Sequence, residues 1–173
     1  MFSVIFEVHL SHSTWRDEKS VVRWRTVGKH HDTQQRGRDE VFQDYHLRVG
    51  ESVRDTAPPA GAAIVEQRLD ETEIGRAKFV TLTEVQPESG VTAAALPDWL
   101  SVDRHRADLI EYDVFASIYN AGKHALLASW RARPSAERFS PPASAGLRHR
   151  VARVVRDYGM FDRRESPQYY REI

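Results

Sequence analysis

FSVIFEV at residues 2–8 recurs as FVTLTEV at residues 79–85, at an offset of 77 residues. Thr14-Trp15-Arg16 likewise matches Ser129-Trp130-Arg131, at an offset of 115 residues. Self-similarity that recurs along a chain indicates two copies of one structural unit. The sequence therefore predicts two related modules, and the second is the more complete.

The two offsets differ by 38 residues, so a stretch of that length in the second module has no counterpart between Leu10 and Ser11. VFQDY at residues 41–45 resembles VVRDY at residues 154–158, at an offset of 113, which predicts that both modules close alike. By the offset of 115, the strand that begins at Ser11 lacks about its first three residues, which span ~10 Å. A single peptide between Leu10 and Ser11 spans only ~3.8 Å between Cα atoms. A tight hairpin also favours Gly or Asn. We therefore expect a further segment of about 38 residues here in the natural polypeptide, with a real deletion as the alternative.

The second module predicts the element order βαββαβ, which is that of a ferredoxin-like α+β unit. Its predicted strands are rich in β-branched and aromatic residues, and Asn120-Ala121-Gly122 between two of them is typical of a tight hairpin. Pro residues are expected to end both of its helices. The predicted elements are a strand at 77–85, a helix at 91–96, strands at 112–119 and 123–131, a helix at 135–139 and a strand at 151–161.

The first module shows only part of that order. It contains the first strand, a fragment of the third, an amphipathic helix from Asp17 to about Arg36 and a final strand near residues 40–49. The first helix and second strand are absent from residues 1–54. Residues 55–75, which are rich in Pro and Gly and then in acidic residues, are predicted to link it to the second module at residues 76–173.

Composition limits the function classes. The 173 residues carry 25 basic and 25 acidic side chains, so no net field attracts nucleic acid. The chain has no cysteine, which excludes disulfides and thiolate ligands and favours a cytoplasmic protein. No apolar run approaches the ~20 residues of a membrane helix. Small molecules or other protein chains are therefore the expected partners.

The Trp-Arg strand end, the helix with Trp24 and KHH at residues 29–31, and the strands FQDYHLRV at 42–49 and RDYGMFD at 156–162 together resemble antibiotic biosynthesis monooxygenase-like proteins. The resemblance covers nearly the whole chain. It implies a dimeric α+β barrel, which a tandem repeat can build within one chain, and a cavity between sheet and helices.

The resemblance also implies, as in some members of that family, oxidation of a phenol-like substrate by oxygen without metal or flavin, where the protein supplies shape, hydrogen bonds and a proton acceptor. Other members degrade haem with an Asn on the first strand and a Trp and a His on the second helix. This chain has no Asn near Glu7, so haem binding is not expected. His9 and His12 lack further ligands at metal spacing, so no metal site is predicted.

Trp24, His31 and Tyr45 are the predicted catalytic residues. His31 follows Trp24 by seven residues, about two helical turns, so both are expected on the inward face, while His30 points elsewhere. A core tryptophan and a structural histidine are the alternatives for the first two. Tyr45 is the third candidate because a strand tyrosine can anchor a phenolic or quinone substrate by its hydroxyl, with a barrel-rim aromatic as the alternative.

Tyr119, Asn120 and Tyr158 are the predicted substrate contacts. Tyr158 is treated as the repeat mate of Tyr45, while Tyr119 and Asn120 end the predicted hairpin, where turn chemistry also explains the asparagine.

The sequence leaves two functions open. The first is a cofactor-independent monooxygenase of an aromatic or polyketide-like molecule. The second is a non-catalytic α+β barrel that binds a small hydrophobic ligand or serves assembly. Because a module without its second strand leaves a free sheet edge, a homodimer is expected in either case.

Overall fold

The structure of the chain, a computed structural model, describes residues 1–7, 11–87 and 90–166, except the side chains of Ser11 and His31. The strands are β1 (Phe2–Phe6), β2 (Ser11–Trp15), β3 (His46–Asp55), β4 (Phe79–Val85), β5 (Leu109–Ala116), β6 (His124–Trp130) and β7 (Arg148–Gly159). The α-helices are α1 (Glu18–Arg25), α2 (Gly28–Arg36), α3 (Leu96–Trp99) and α4 (Arg133–Arg138), and a π-helical turn, Gly37–Val41, follows α2.

The strands form one antiparallel sheet in the order β2-β1-β3-β7-β4-β6-β5. In the second module, β7, β4, β6 and β5 lie side by side in that order. They are its fourth, first, third and second strands along the chain, which is the strand order of a ferredoxin-like unit. In the first module β3, β1 and β2 take the fourth, first and third places. The predicted α+β fold is confirmed, and β3 joins β7 to make the two sets of strands continuous.

Strand register shows which residues of the two modules are equivalent. Phe2 pairs with Trp15, and Phe79 pairs with Trp130, so the offsets of 77 and 115 both hold in the pairing. The predicted offset of 113 for the closing strands is wrong. Ile5 pairs with Arg48, and the equivalent Leu82 pairs with Arg150, so the offset between the two closing strands is 102 residues.

Tyr45 and Tyr158 are therefore not equivalent. Tyr45 precedes β3, which begins at His46 and not near residue 40, whereas Tyr158 lies inside β7. The similarity of the two Asp-Tyr pairs is local and does not follow the sheet.

β1 and β2 form a direct hairpin. Phe6 pairs with Ser11, so residues 7–10 connect the strands, although Val8, His9 and Leu10 lie outside the described residues. The expectation that the register forbids this hairpin is wrong, because β1 ends at Phe6 and all five residues of β2 pair with it. The further segment of about 38 residues stays a prediction.

The β5–β6 hairpin lies where the sequence predicts it. Gly122 has a φ of 77°, the left-handed region that glycine adopts without strain. The Ser117 N–H donates to the carbonyl of Lys123 at 2.9 Å and closes the turn.

The sheet curls around one of its faces. Arg48 on β3 donates to Ser129 on β6, although β7 and β4 lie between them. Strands are ~4.8 Å apart, so three spacings in a flat sheet exceed the reach of one arginine. The face that carries these side chains is therefore concave, and we call it the concave face.

Apolar side chains pack on both faces of the sheet. Phe79, Trp130 and Leu96 belong to a buried core between the second module's strands and its helices. Phe2 and Val21 belong to the corresponding core of the first module. A third cluster lies on the concave face and contains Ile5, Val80, Leu82, Leu127, Ala152 and Val154.

The predicted single helix from Asp17 to Arg36 is wrong, because two helices cover this range. Thr26 caps α1 and donates its hydroxyl to the carbonyl of Val22 at 2.9 Å. Val27 then has extended backbone angles, φ −66° and ψ 124°. Thr and Val are weak helix formers and Gly28 is weaker still, so three unfavourable residues in sequence end the first helix.

No helix in the described part of the chain is long and apolar enough to cross a membrane.

Candidate functional site

Six side chains of the first module form a partly open cluster on the helix side of its sheet, which we call the Trp24 cluster. Tyr45 is buried and the other five are half-buried. Aromatic side chains that lie together and still reach solvent offer a ligand a large apolar surface. The members come from β1, β2, α1, α2 and the segment before β3, and they are Phe6, Trp15, Trp24, His30, Phe42 and Tyr45.

Helix α1 places Trp24 in this cluster. Asp17 begins the helix by accepting hydrogen bonds from the Ser20 backbone N–H at 2.8 Å and from its hydroxyl. Val21, three residues before Trp24, is buried in the same core, as residues three apart share a helix face. The Trp24 ring lies 5.2 Å from that of Trp15, measured between centroids.

The break between α1 and α2 brings His30 onto Trp24. Its ring centroid is 3.9 Å from that of Trp24, and its backbone N–H donates to the carbonyl of Val27 at 2.9 Å. In a continuous helix, residues six apart point about 120° away from each other. The extended residue between the helices therefore creates the contact that the sequence prediction assigned to His31.

The His30 imidazole has the properties of a proton acceptor. Its Nε2 atom is shielded from solvent and has no hydrogen-bond partner within the described residues. Burial lowers the pKa of His30 below its ordinary 6.5. The ring is therefore neutral at pH 7, and a neutral imidazole nitrogen can take a proton from a ligand placed beside it.

Tyr45 closes the other side of the cluster. Its ring centroid is 5.5 Å from that of Phe6, and Phe42 is 5.3 Å from Phe6 in an edge-on arrangement. The Tyr45 hydroxyl accepts a hydrogen bond from Nη1 of Arg163 at 2.6 Å. That bond polarises the phenol and fixes its orientation.

The structure brings three of the predicted site residues together and separates two others. Trp24, Tyr45 and Tyr158 all pack in the core of the first module. Tyr119 is 89% exposed and lies with Asn120 in the β5–β6 turn, where the hydroxyl of Ser117 accepts from both of their backbone N–H groups. His31 lies in α2, but its side chain is outside the described residues, so its role stays a prediction.

Sequence reasoning missed a polar cluster on the concave face. His46 contacts Asp157 through Nε2 and Glu7 through Nδ1, the latter at 3.3 Å. Burial lowers the pKa of His46, but hydrogen bonds to Asp157 and then Glu7 outweigh it and raise the pKa to about 9. Nη1 of Arg48 is 3.3 Å from Oε1 of Glu7. The internal repeat contains a signal for this cluster, because it aligns Glu7 with Glu84, two acidic residues at the ends of otherwise mostly apolar segments.

Comparison with known proteins gives one informative match. A protein of Pyricularia oryzae named Jasmonate monooxygenase ABM is 41% identical to the chain over 167 residues, which cover 93% of this chain and 75% of that protein. No protein-family profile and no solved structure matches the chain.

Proposed function

Because the chain belongs to the antibiotic biosynthesis monooxygenase-like family, we propose that it is a cofactor-independent monooxygenase that oxidises a small aromatic or polyketide-like molecule at the Trp24 cluster. The observation that carries this proposal is the contact between Trp24 and His30, whose Nε2 has no partner within the described residues. An aromatic wall and an imidazole nitrogen without a partner in the described residues occupy one site.

The reaction requires little from the protein beyond this arrangement. His30 removes a proton from a phenol-like substrate, and the resulting anion is electron-rich enough to reduce oxygen. One oxygen atom enters the product as a carbonyl, and the other leaves as water with two hydrogens from the substrate. A base near neutral pKa is the efficient choice for the first step.

Tyr45 is the second group with a role in this scheme. Its hydroxyl already accepts from Arg163, so its own proton is directed away from that bond and can be donated to a substrate oxygen. Donors aimed at a developing oxyanion stabilise it more in a water-poor site than in bulk water.

The test is oxygen uptake with anthrone, a ketone whose enol tautomer is a phenol, and with jasmonate as a second substrate, the latter because the relative carries it in its name. We expect anthrone to consume oxygen one to one and His30→Ala to lower kcat by ~100-fold or more. His105→Ala, at an exposed loop position, is the matched control and should retain wild-type rates.

The other outcomes distinguish the remaining possibilities. Unchanged uptake in His30→Ala together with loss in His31→Ala would assign the base to His31. Absence of uptake by the wild-type protein with either compound would contradict the proposal and favour a barrel that only binds a hydrophobic ligand.

A further inference from the structure

Two buried arginines occupy equivalent positions on the concave face. Arg48 pairs with Ile5 and Arg150 pairs with Leu82, and each arginine side chain is 3% exposed. Each donates from Nη1 to a hydroxyl of the other module, Arg48 to Ser129 at 2.9 Å and Arg150 to Thr14 at 3.3 Å. The two sites are related by the pseudo-twofold axis between β3 and β7.

Each arginine pairs with a glutamate at the end of the neighbouring β1 or β4, but a further carboxylate from β5 lies on Arg48 and has no counterpart on Arg150. Nη2 of Arg48 donates to Oε1 of Glu111 at 2.9 Å, and Glu111 comes from β5, the strand beside β6. In the part of the chain that the structure describes, β2 has no strand on its outer side, so the equivalent position beside Thr14 supplies no acidic group.

His12 occupies part of the position beside Arg150 that corresponds to the position of Glu111 beside Arg48. Its Nε2 accepts from Nη2 of Arg150 at 2.9 Å. Burial and the charge of Arg150 lower the pKa of His12 to about 4, so the imidazole is neutral and brings no negative charge. Nε of Arg150 is buried and has no acceptor among the described residues, and the same holds for Nε of Arg48.

The charge balance around Arg150 favours an anion. Glu84 pairs with Arg150 and is shared with Lys123, whose Nζ lies 3.0 Å from it. Asp55 is held by Arg148 at 2.7 Å. Three cations, Arg148, Arg150 and Lys123, therefore lie together with two carboxylates, Glu84 and Asp55.

The site around Arg48 has the opposite balance. Glu7, Asp157 and Glu111 surround Arg48 and His46 within salt-bridge distance, so three carboxylates face two cations. The fold therefore supplies one end of the concave face with an excess of negative charge and the other with an excess of positive charge.

An apolar surface adjoins Arg150. A crevice of about 10 Å³ lies beside it, with room for about one water molecule. Ile5, Val80, Leu82 and Ala152 line it, and they belong to the apolar cluster that continues to Leu127. A ligand must displace the His12 ring from the guanidinium to enter, because the crevice itself is too small.

We propose that the concave face at Arg150 binds an apolar carboxylate, with the carboxylate on Arg150 where Glu111 lies on Arg48, and the hydrocarbon on Ile5, Val80 and Leu82. This site is on the opposite face of the sheet from the Trp24 cluster and does not depend on the proposed oxidation. A buried guanidinium pairs with a carboxylate in bidentate geometry, which a neutral alcohol cannot match.

The test is calorimetric titration of the whole protein with decanoate, with decanol as the uncharged analogue. Decanoate should bind at least tenfold more tightly than decanol. His12→Glu puts a carboxylate beside Arg150 and should weaken decanoate binding at least tenfold, while His12→Gln, of the same size and uncharged, should bind within about threefold of wild type, or roughly 0.7 kcal/mol.

Several results would overturn the proposal. They are equal affinity for decanoate and decanol, equal weakening by His12→Glu and His12→Gln, and no heat of binding at millimolar decanoate. If saturating decanoate abolishes oxygen uptake with anthrone, the two ligands share one site and the assignment to a separate concave site is wrong. Uptake that continues under saturating decanoate supports it, and a protein with no uptake at all still leaves the titration decisive.

Discussion

Trp15 and Trp130 occupy equivalent positions in the two modules, yet one is half-buried and the other is 1% exposed. Trp130 donates its Nε1–H to the buried hydroxyl of Thr81 at 3.0 Å, whereas Trp15 donates to Ser13 of its own strand at 2.9 Å. The same residue is thus a core anchor in the second module and a wall residue in the first.

The helices explain this difference. In the second module α3 and α4 place buried Leu96 and Ala136 against the sheet, and Phe139 follows with its ring 5.5 Å from that of Trp130. In the first module α1 contributes one fully buried side chain, Val21, and the aromatic residues around it stay partly open. A closed core contributes stability, while the open cluster leaves surface for a ligand, which is why the proposed oxidation site lies in the first module.

The largest expected effect tests this assignment through stability. Trp130→Ala should lower the free energy of unfolding by about 3–5 kcal/mol, because it leaves a large cavity in a closed core. Trp15→Ala should cost roughly 1–2 kcal/mol, since a half-buried side chain loses less buried area. Denaturant titrations of both variants measure the difference, and equal losses would show that the first module is as closed as the second.

The sequence predicted the sheet better than the site. Strands β1, β4 and β6 and the turn at Gly122 follow from β-branched and aromatic runs and from one glycine, all of which are local signals. The similarity of Asp44-Tyr45 to Asp157-Tyr158 predicts the wrong alignment of the closing strands, because it is local and does not follow the pairing of the sheet. The equivalence of Arg48 and Arg150 depends instead on pairing with β1 and β4, which no single strand reveals.

The site residues depend on a similar non-local detail. The seven-residue spacing from Trp24 to His31 assumes one helix, and the extended backbone at Val27 removes that assumption and places His30 on Trp24. Hydrophobic periodicity indicates which face of a helix is buried but not where the helix ends. Gly28 is the sequence signal that indicates a break, since glycine commonly follows the end of a helix.

The second prediction concerns the pH dependence of the proposed oxidation. The base must be neutral, and burial lowers the pKa of His30 below 6.5, so activity should persist as pH falls and decline only below that value. In that range kcat/KM should fall about tenfold per pH unit. A profile of anthrone oxidation from pH 4.5 to 8 measures this, and an acid limb centred above 6.5 would mean that the acting base is not held as His30 is.

The third prediction concerns the free edge of the first module. β2 is at one end of the sheet among the described residues, and natural proteins pair or cover such edges. We expect a homodimer with about twice the 19.9 kDa of the chain by light scattering, and Ser13→Lys on β2 should shift it toward the monomer. A wild-type protein that stays monomeric at micromolar concentration contradicts this. The β2 sequence SHSTW carries no carboxylate, so pairing of two copies there would not complete the Arg150 site.

The smallest expected effect is a difference in mass, and it decides how unequal the two modules are. The second module has 38 residues between its first and third strands that the first module lacks. The β1–β2 hairpin shows that the chain can close without them, yet Leu10 and Ser11 are not the Gly or Asn that tight turns favour. We still expect the natural polypeptide to be longer, by about 4 kDa at the mean of 19.9 kDa for 173 residues. Intact mass spectrometry of the protein from its source measures this directly. A mass of 19.9 kDa would show a true deletion, in which case the first module has no further strand of its own to pair with β2.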